Sequence, residues 1–116
     1  LTGYIDKAKK KSIVAETRQV VIAAQTVYDE KYGTVEQGTA MAALTDAQKT
    51  EVKSLAEVKG TIGDVTCTTA EDTTNHIAIG TVNKVVYTSA DGKYTCTYTN
   101  PATAGASDGL YNVTTN

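Results

Sequence analysis

From Leu1 to Tyr32 the chain has no Pro and, after Gly3, no Gly, and Gly33 follows at once. Nothing in this stretch of mainly Ala, Lys, Glu, Gln, Val and Ile interrupts a helix. At about 100° per residue, Ile13, Thr17, Val20, Val21, Ala24, Val27 and Tyr28 fall within one broad arc. Tyr32-Gly33 reads as the last turn and its left-handed stop, a conformation Gly enters without steric penalty. At 1.5 Å rise per residue the helix spans roughly 48 Å, more than a domain of 116 residues covers. The spacing therefore predicts a rod, part of which projects and is covered by something other than this chain.

A second apolar set sharpens that expectation. Leu1, Tyr4, Ile5, Ala8, Ala15, Ile22 and Ala23 lie mostly opposite or beside the first arc. A helix packed once on a sheet needs one stripe, and two stripes point to two partners. Lys7, Lys9, Lys10 and Lys11 form a basic collar near the start. Such a run is ordinarily a solvated face; beside a membrane it favours anionic head groups by roughly 1 kcal/mol per residue. Leu1 enters in helical register with no Met and no Ser, Thr, Asp or Asn cap before it, so the start reads as a helix cut mid-course. No run reaches the ~18 apolar residues that cross a bilayer. The formal charge of −2 gives no general electrostatic case for nucleic-acid binding.

Beyond Gly33 the texture changes. Thr34 to Gly38 reads as a loop, and Thr39 to Leu44 as a further helical turn. Thr45-Asp46-Ala47-Gln48 fits a capping box, which predicts a short helix with Val52, Leu55, Ala56 and Val58 as its apolar positions and Gly60 just past its end. From Thr61 the pattern turns to β. Ile62 to Thr68 is one strand, and Ile77 to Thr81 continues through Val85-Val86-Tyr87 as another. Ser89-Ala90-Asp91-Gly92 is a turn, after which Tyr94, Cys96 and Tyr98 share a strand face. Asn100-Pro101 breaks that strand, a loop runs to Gly109, and Leu110 to Thr114 is a last edge strand. Seven Tyr stand in for absent Trp and Phe, and each keeps a polar tip that needs water or a neighbour. The expected class is α+β: one domain with a long N-terminal helix (residues 1–33) packed on an antiparallel sheet of three to four strands. A connecting segment with a short helix (34–60) leads to the meander and C-terminal loop (61–116).

The segment Leu1 to Gly33, with its short polar stretch Tyr4-Ile5-Asp6-Lys7-Ala8-Lys9 followed by the Ala/Glu/Gln/Val run Val14 to Tyr32, resembles the post-membrane half of a type IV pilin α1 helix. It is most similar to major pilins of Gram-positive, clostridial type. The helix resemblance covers about a third of the chain, and the remainder matches in layout alone. The resemblance implies the type IV pilin fold and a structural, non-enzymatic subunit with no cofactor. It implies a precursor trimmed by a membrane peptidase, N-terminally methylated when mature, and held in the membrane by an apolar front half not included here. Its partners would be other pilin subunits and the pilus assembly machinery, its place the cell surface, and its work adhesion, aggregation and surface motility. In this picture Ile13, Thr17, Val20, Val21, Ala24, Val27 and Tyr28 face the sheet, while Leu1, Tyr4, Ile5, Ala8, Ala15, Ile22 and Ala23 face the fibre core. The alternative is a pseudopilin of a type II secretion or DNA-uptake system.

Cys67 and Cys96 are the only cysteines. In an exported protein an even count favours a disulfide, which would here tie one strand to another within the sheet. The alternative is two buried thiols acting as small hydrophobes. No catalytic constellation emerges: His76, the only histidine, sits in a polar loop. Asp64, Glu71, Asp72 and Asn75 supply oxygens for Ca²⁺, but their spacing matches no EF-hand loop. Asn112-Val113-Thr114 matches an N-glycosylation acceptor.

Overall fold

The computed structural model describes residues 2–32, 43–102 and 109–116. Helix α1 runs from Thr2 to Tyr32 and α2 from Asp46 to Ala56. Strands β1 (Thr61–Cys67), β2 (Val82–Thr88), β3 (Tyr94–Thr99) and β4 (Tyr111–Thr115) form one antiparallel sheet in the order β1-β2-β3-β4. The chain is thus α+β, with an N-terminal helix packed on a four-stranded meander. The expected Gly33 stop, the 34–38 loop, most of the 39–44 turn and the loop at 103–108 lie outside the described residues, as does Leu1.

One layer is the sheet and the other is α1. Ile13, Thr17, Val20, Ala24, Val27 and Tyr28 are buried, as their shared arc requires, and Val21 packs partly buried at its edge. They meet the inward faces of the strands: Val65 and Cys67 from β1, Val82, Val85 and Tyr87 from β2, and Tyr94, Cys96 and Tyr98 from β3. Thr17 tolerates full burial because its hydroxyl donates to the Ile13 carbonyl at 2.7 Å, one turn back. β3 alternates strictly, whereas β1 and β2 do not. Ile62 and Val65 both point inward although three residues apart, because the pairing of β1 with β2 slips between them.

Three expectations need correction. β2 begins at Val82, not Ile77: Ile77 bridges back to Asp72, and Gly80 takes φ 82° in the turn that follows. The left-handed residue closing α2 is Glu57 (φ 57°), whose N–H donates to the Lys53 carbonyl at 3.0 Å, and not Gly60. Leu55 is 52 % exposed on the outer side of α2, while Val52, Ala56 and Val58 are buried. The capping box itself forms, Thr45 accepting from the Gln48 N–H and the Gln48 side chain accepting from the Thr45 N–H.

No disulfide joins Cys67 and Cys96; both thiols are buried. Topology excludes the bond, since β2 lies between their strands. Cys67 pairs with Val82 at one end of β2 and Cys96 with Tyr87 near the other. Two strand spacings and five residues of offset place the Cα atoms roughly 19 Å apart, against the ~7 Å limit for a bridge.

Candidate functional site

Burial of the apolar arc sets which side of α1 meets the sheet. Polar side chains then pin that rotation at four points. The Tyr94 hydroxyl at the start of β3 donates to Asp6 at 2.5 Å. That bond, more than the Lys10 ammonium 3.2 Å away, holds the Asp6 carboxyl below its ordinary range, and it pushes the Tyr94 phenol up. Near the middle of the helix the Tyr87 hydroxyl donates to Glu16 at 2.8 Å. Further on, Gln25 donates to the Gly80 carbonyl at 2.9 Å and accepts from the Val82 N–H at 2.8 Å. The Tyr28 hydroxyl donates to the Val65 carbonyl at 3.2 Å. Four attachments along one helix leave it a single orientation.

What that orientation presents outward is apolar. Tyr4 is 78 % exposed, Ile5 56 % and Ile22 69 %, and Ala8 and Ala15 are exposed between them. Arg18, also on this side, lies over the Tyr111 ring at 5.2 Å, and Tyr111 in turn tilts against Tyr98 at 5.1 Å. Ala23, expected on the same outward face, is buried. Ile5 and Ala23 are 18 residues apart, about five whole turns, and so occupy the same side of the helix. Their fates differ because α2 covers only the C-terminal part of that flank, where Ala23 and Ala56 line a groove with Ile22 and Leu55 on its rim. The outward face is therefore narrower than the sequence pattern implied.

The remaining candidates are placed as follows. His76 is exposed with φ 56° in the turn after Asp72. Asp72 accepts from the Asn75 N–H at 3.1 Å and from its side-chain amide at 2.9 Å, so both its oxygens are used within that turn and its carboxyl is held low. Asp64 stands exposed on β1, and among the described residues no three His, Cys, Asp or Glu side chains converge on a metal position. Asn112 and Thr114 lie on β4, paired with Thr97 and Thr95.

Searches against family models, curated proteins and solved structures return no match. The outward face of α1 thus stands on its geometry. Of the seven residues expected on it, Tyr4, Ile5, Ala8, Ala15 and Ile22 are exposed, Ala23 is buried and Leu1 lies outside the described residues, and the groups that aim it, Asp6, Glu16 and Gln25, were missed. A signal for Asp6 and Glu16 did exist: in a chain without Trp or Phe, alternating Tyr on inward strand faces need polar partners, and carboxylates flanking the buried arc are within reach; Gln25, which bonds backbone groups, had none.

Proposed function

We infer that this chain is the spine and head of a type IV pilin, a structural subunit that polymerises through α1 into surface fibres serving adhesion, aggregation and surface motility. The carrying observation is the opposite fate of neighbours on one helix: Val20, Ala24 and Val27 have no exposed surface, while Ile22 between them is 69 % exposed. One exposed aliphatic side chain is ordinary on a protein surface; what favours a partner is that Ile22 shares its side of the helix with further exposed apolar residues. Tyr4, Ile5, Ala8 and Ala15 extend the same outward face toward the helix start. A spine, a connecting segment with α2, and an antiparallel meander are the layout this reading requires. The partners would be further copies of the chain and the machinery that assembles them.

An antibody raised against this domain and used in immunogold electron microscopy of the native cells tests the reading. Regular labelling along thin surface fibres supports it. Label confined to the cell interior, or dispersed over the surface of cells bearing no fibres, removes it.

A further inference from the structure

The side of α1 turned away from the sheet changes sign along its length. At about 100° per residue, Lys7, Lys11, Arg18 and Asp29 fall on the stripe that also holds Tyr4 and Ile22, with Glu30 on its flank. All of these side chains are exposed. The stripe begins basic, carries no charge but Arg18 through its middle, and ends acidic. Arg18 lies over the Tyr111 ring of its own sheet. Among the described residues the ion pair of α1 joins Lys10 to Asp6, so Lys7, Lys11, Asp29 and Glu30 have no opposite charge within ion-pair distance. Asp29 accepts from the Gln25 side chain at 3.0 Å, a neutral donor that leaves its charge in place. The helix itself gives no reason for the acidic end. Asp29 and Glu30 stand in the last turn before Tyr32, where the negative end of the helix dipole disfavours carboxylates.

We propose that Lys7 and Lys11 of one copy pair with Asp29 and Glu30 of another, and that these pairs fix the register between two parallel α1 rods. The first pair is centred on residue 9 and the second between residues 29 and 30, so the rods are displaced by about 31 Å at 1.5 Å per residue. The inference rests on the fibre reading and adds to it what sets the order of the copies. Apolar contacts through Ala15 and Ile22 are indifferent to sliding, whereas the charges are not. Without displacement, parallel rods set Lys7 and Lys11 against their own equivalents and the carboxylates against theirs, and repulsion excludes that register. A reversed pair of rods also brings opposite charges together, but it closes on itself as a dimer. The displaced parallel pair leaves one basic and one acidic end unmatched, and each takes a further copy, so the arrangement extends into a filament.

The test is a charge swap in the full-length gene, read as the yield of sheared surface fibres. Lys7→Glu with Lys11→Glu lowers the yield about tenfold or more, Asp29→Lys with Glu30→Lys does the same, and the four changes together restore it. Thermal melts of the 116-residue domain separate assembly from folding. All four sites are exposed, and lysine suits the last turn of a helix better than a carboxylate, so the Asp29→Lys, Glu30→Lys domain melts no lower than the parent while its fibres are lost. Electron cryomicroscopy of the parent fibre reads the displacement itself, with a neighbour about 31 Å along α1 whose Asp29 and Glu30 lie beside Lys7 and Lys11. Fibres in which these groups never meet overturn the inference and leave the fibre reading standing, as does a combined variant that recovers nothing. A soluble domain that forms a reversed dimer through the same four residues overturns the parallel order. Cells that make no fibre from the parent gene remove the fibre reading and this inference with it.

Discussion

The Tyr87 hydroxyl donates to Glu16 at 2.8 Å and at the same point accepts the Gly60 N–H at 2.8 Å. One buried oxygen on β2 therefore joins the sheet to α1 and to the segment leaving α2. Tyr87→Phe keeps the ring and removes both bonds, leaving a buried backbone N–H without an acceptor. The expected loss is about 2 kcal/mol, read as a lower urea midpoint at unchanged m-value. An unaltered midpoint would mean that the oxygen joins nothing of consequence.

The same residue sets the response to alkali. Burial, and then the Glu16 hydrogen bond, push the Tyr87 phenol up to about 12, against roughly 10 in an unfolded chain. The folded state thus keeps a proton that the unfolded state gives up. The stabilisation is fully present below pH ~10 and is lost as pH climbs from there through the folded value, at about 1.4 kcal/mol per pH unit. Urea midpoints measured across that window should fall steeply, and Tyr87→Phe should flatten part of the slope. Tyr98 and Tyr111, raised by burial, Tyr94, raised by its hydrogen bond to Asp6, and Cys67, raised by burial, act in the same direction.

Gly60 is buried beside this junction, and a Cβ there would overlap the Thr88 carbonyl oxygen and the Tyr87 hydroxyl. Neither is the loose end of a flexible side chain, so Gly60→Ala must shift backbone or break the junction, at a cost of about 3 kcal/mol. Gly3→Ala is the contrast. Nothing lies within 4 Å of its Cβ, and in a helix the change should be neutral or stabilise by up to about 1 kcal/mol. Thermal melts should put Gly60→Ala well below the parent protein and Gly3→Ala at or slightly above it.

Features carried by neighbouring residues were legible in the sequence. The 3.6-residue period placed Ile13 to Tyr28 against the sheet, the Thr45–Gln48 pair marked the start of α2, and alternation assigned Tyr94, Cys96 and Tyr98 to one face. What was not legible depends on partners far along the chain. Ile5 and Ala23 are equivalent on the helix and differ only in whether α2 lies beside them. Residues 77–81 alternate like a strand, yet Ile77 bridges back to Asp72 and Gly80 turns at positive φ, so β2 starts at Val82. The two cysteines looked bondable until the intervening strand was placed.

That placement has a chemical consequence. Without a bridge, a reducing agent should leave the melting temperature unchanged, whereas loss of a disulfide closing ~30 residues would cost about 3–4 kcal/mol. Both thiols are buried, and burial also pushes the Cys67 thiol up. A thiol reagent should therefore find little to react with in the native protein and two groups in denaturant. Two thiols missing from the denatured, unreduced protein would contradict the fold described here.

The assignment of two faces to α1 is tested by placing a charge on each. Val20 and Val27 have no exposed surface, so Val20→Lys or Val27→Lys forces an unpaired ammonium into the core at a cost of at least about 3 kcal/mol. In a domain this size that lowers the melting temperature by roughly 10 °C or more. Ile5→Lys and Ile22→Lys place the same charge where water already reaches, and should cost less than about 0.5 kcal/mol. Comparable thermal losses from both pairs would erase the distinction between the faces. Introduced into the full-length gene, the outer pair should instead reduce fibre formation, because each copy would bring an ammonium to a surface another copy must cover. If Ile22→Lys leaves both the melt and the fibres unchanged, the outward face has no protein partner at that position. The pilin proposal would then have lost the observation that carries it.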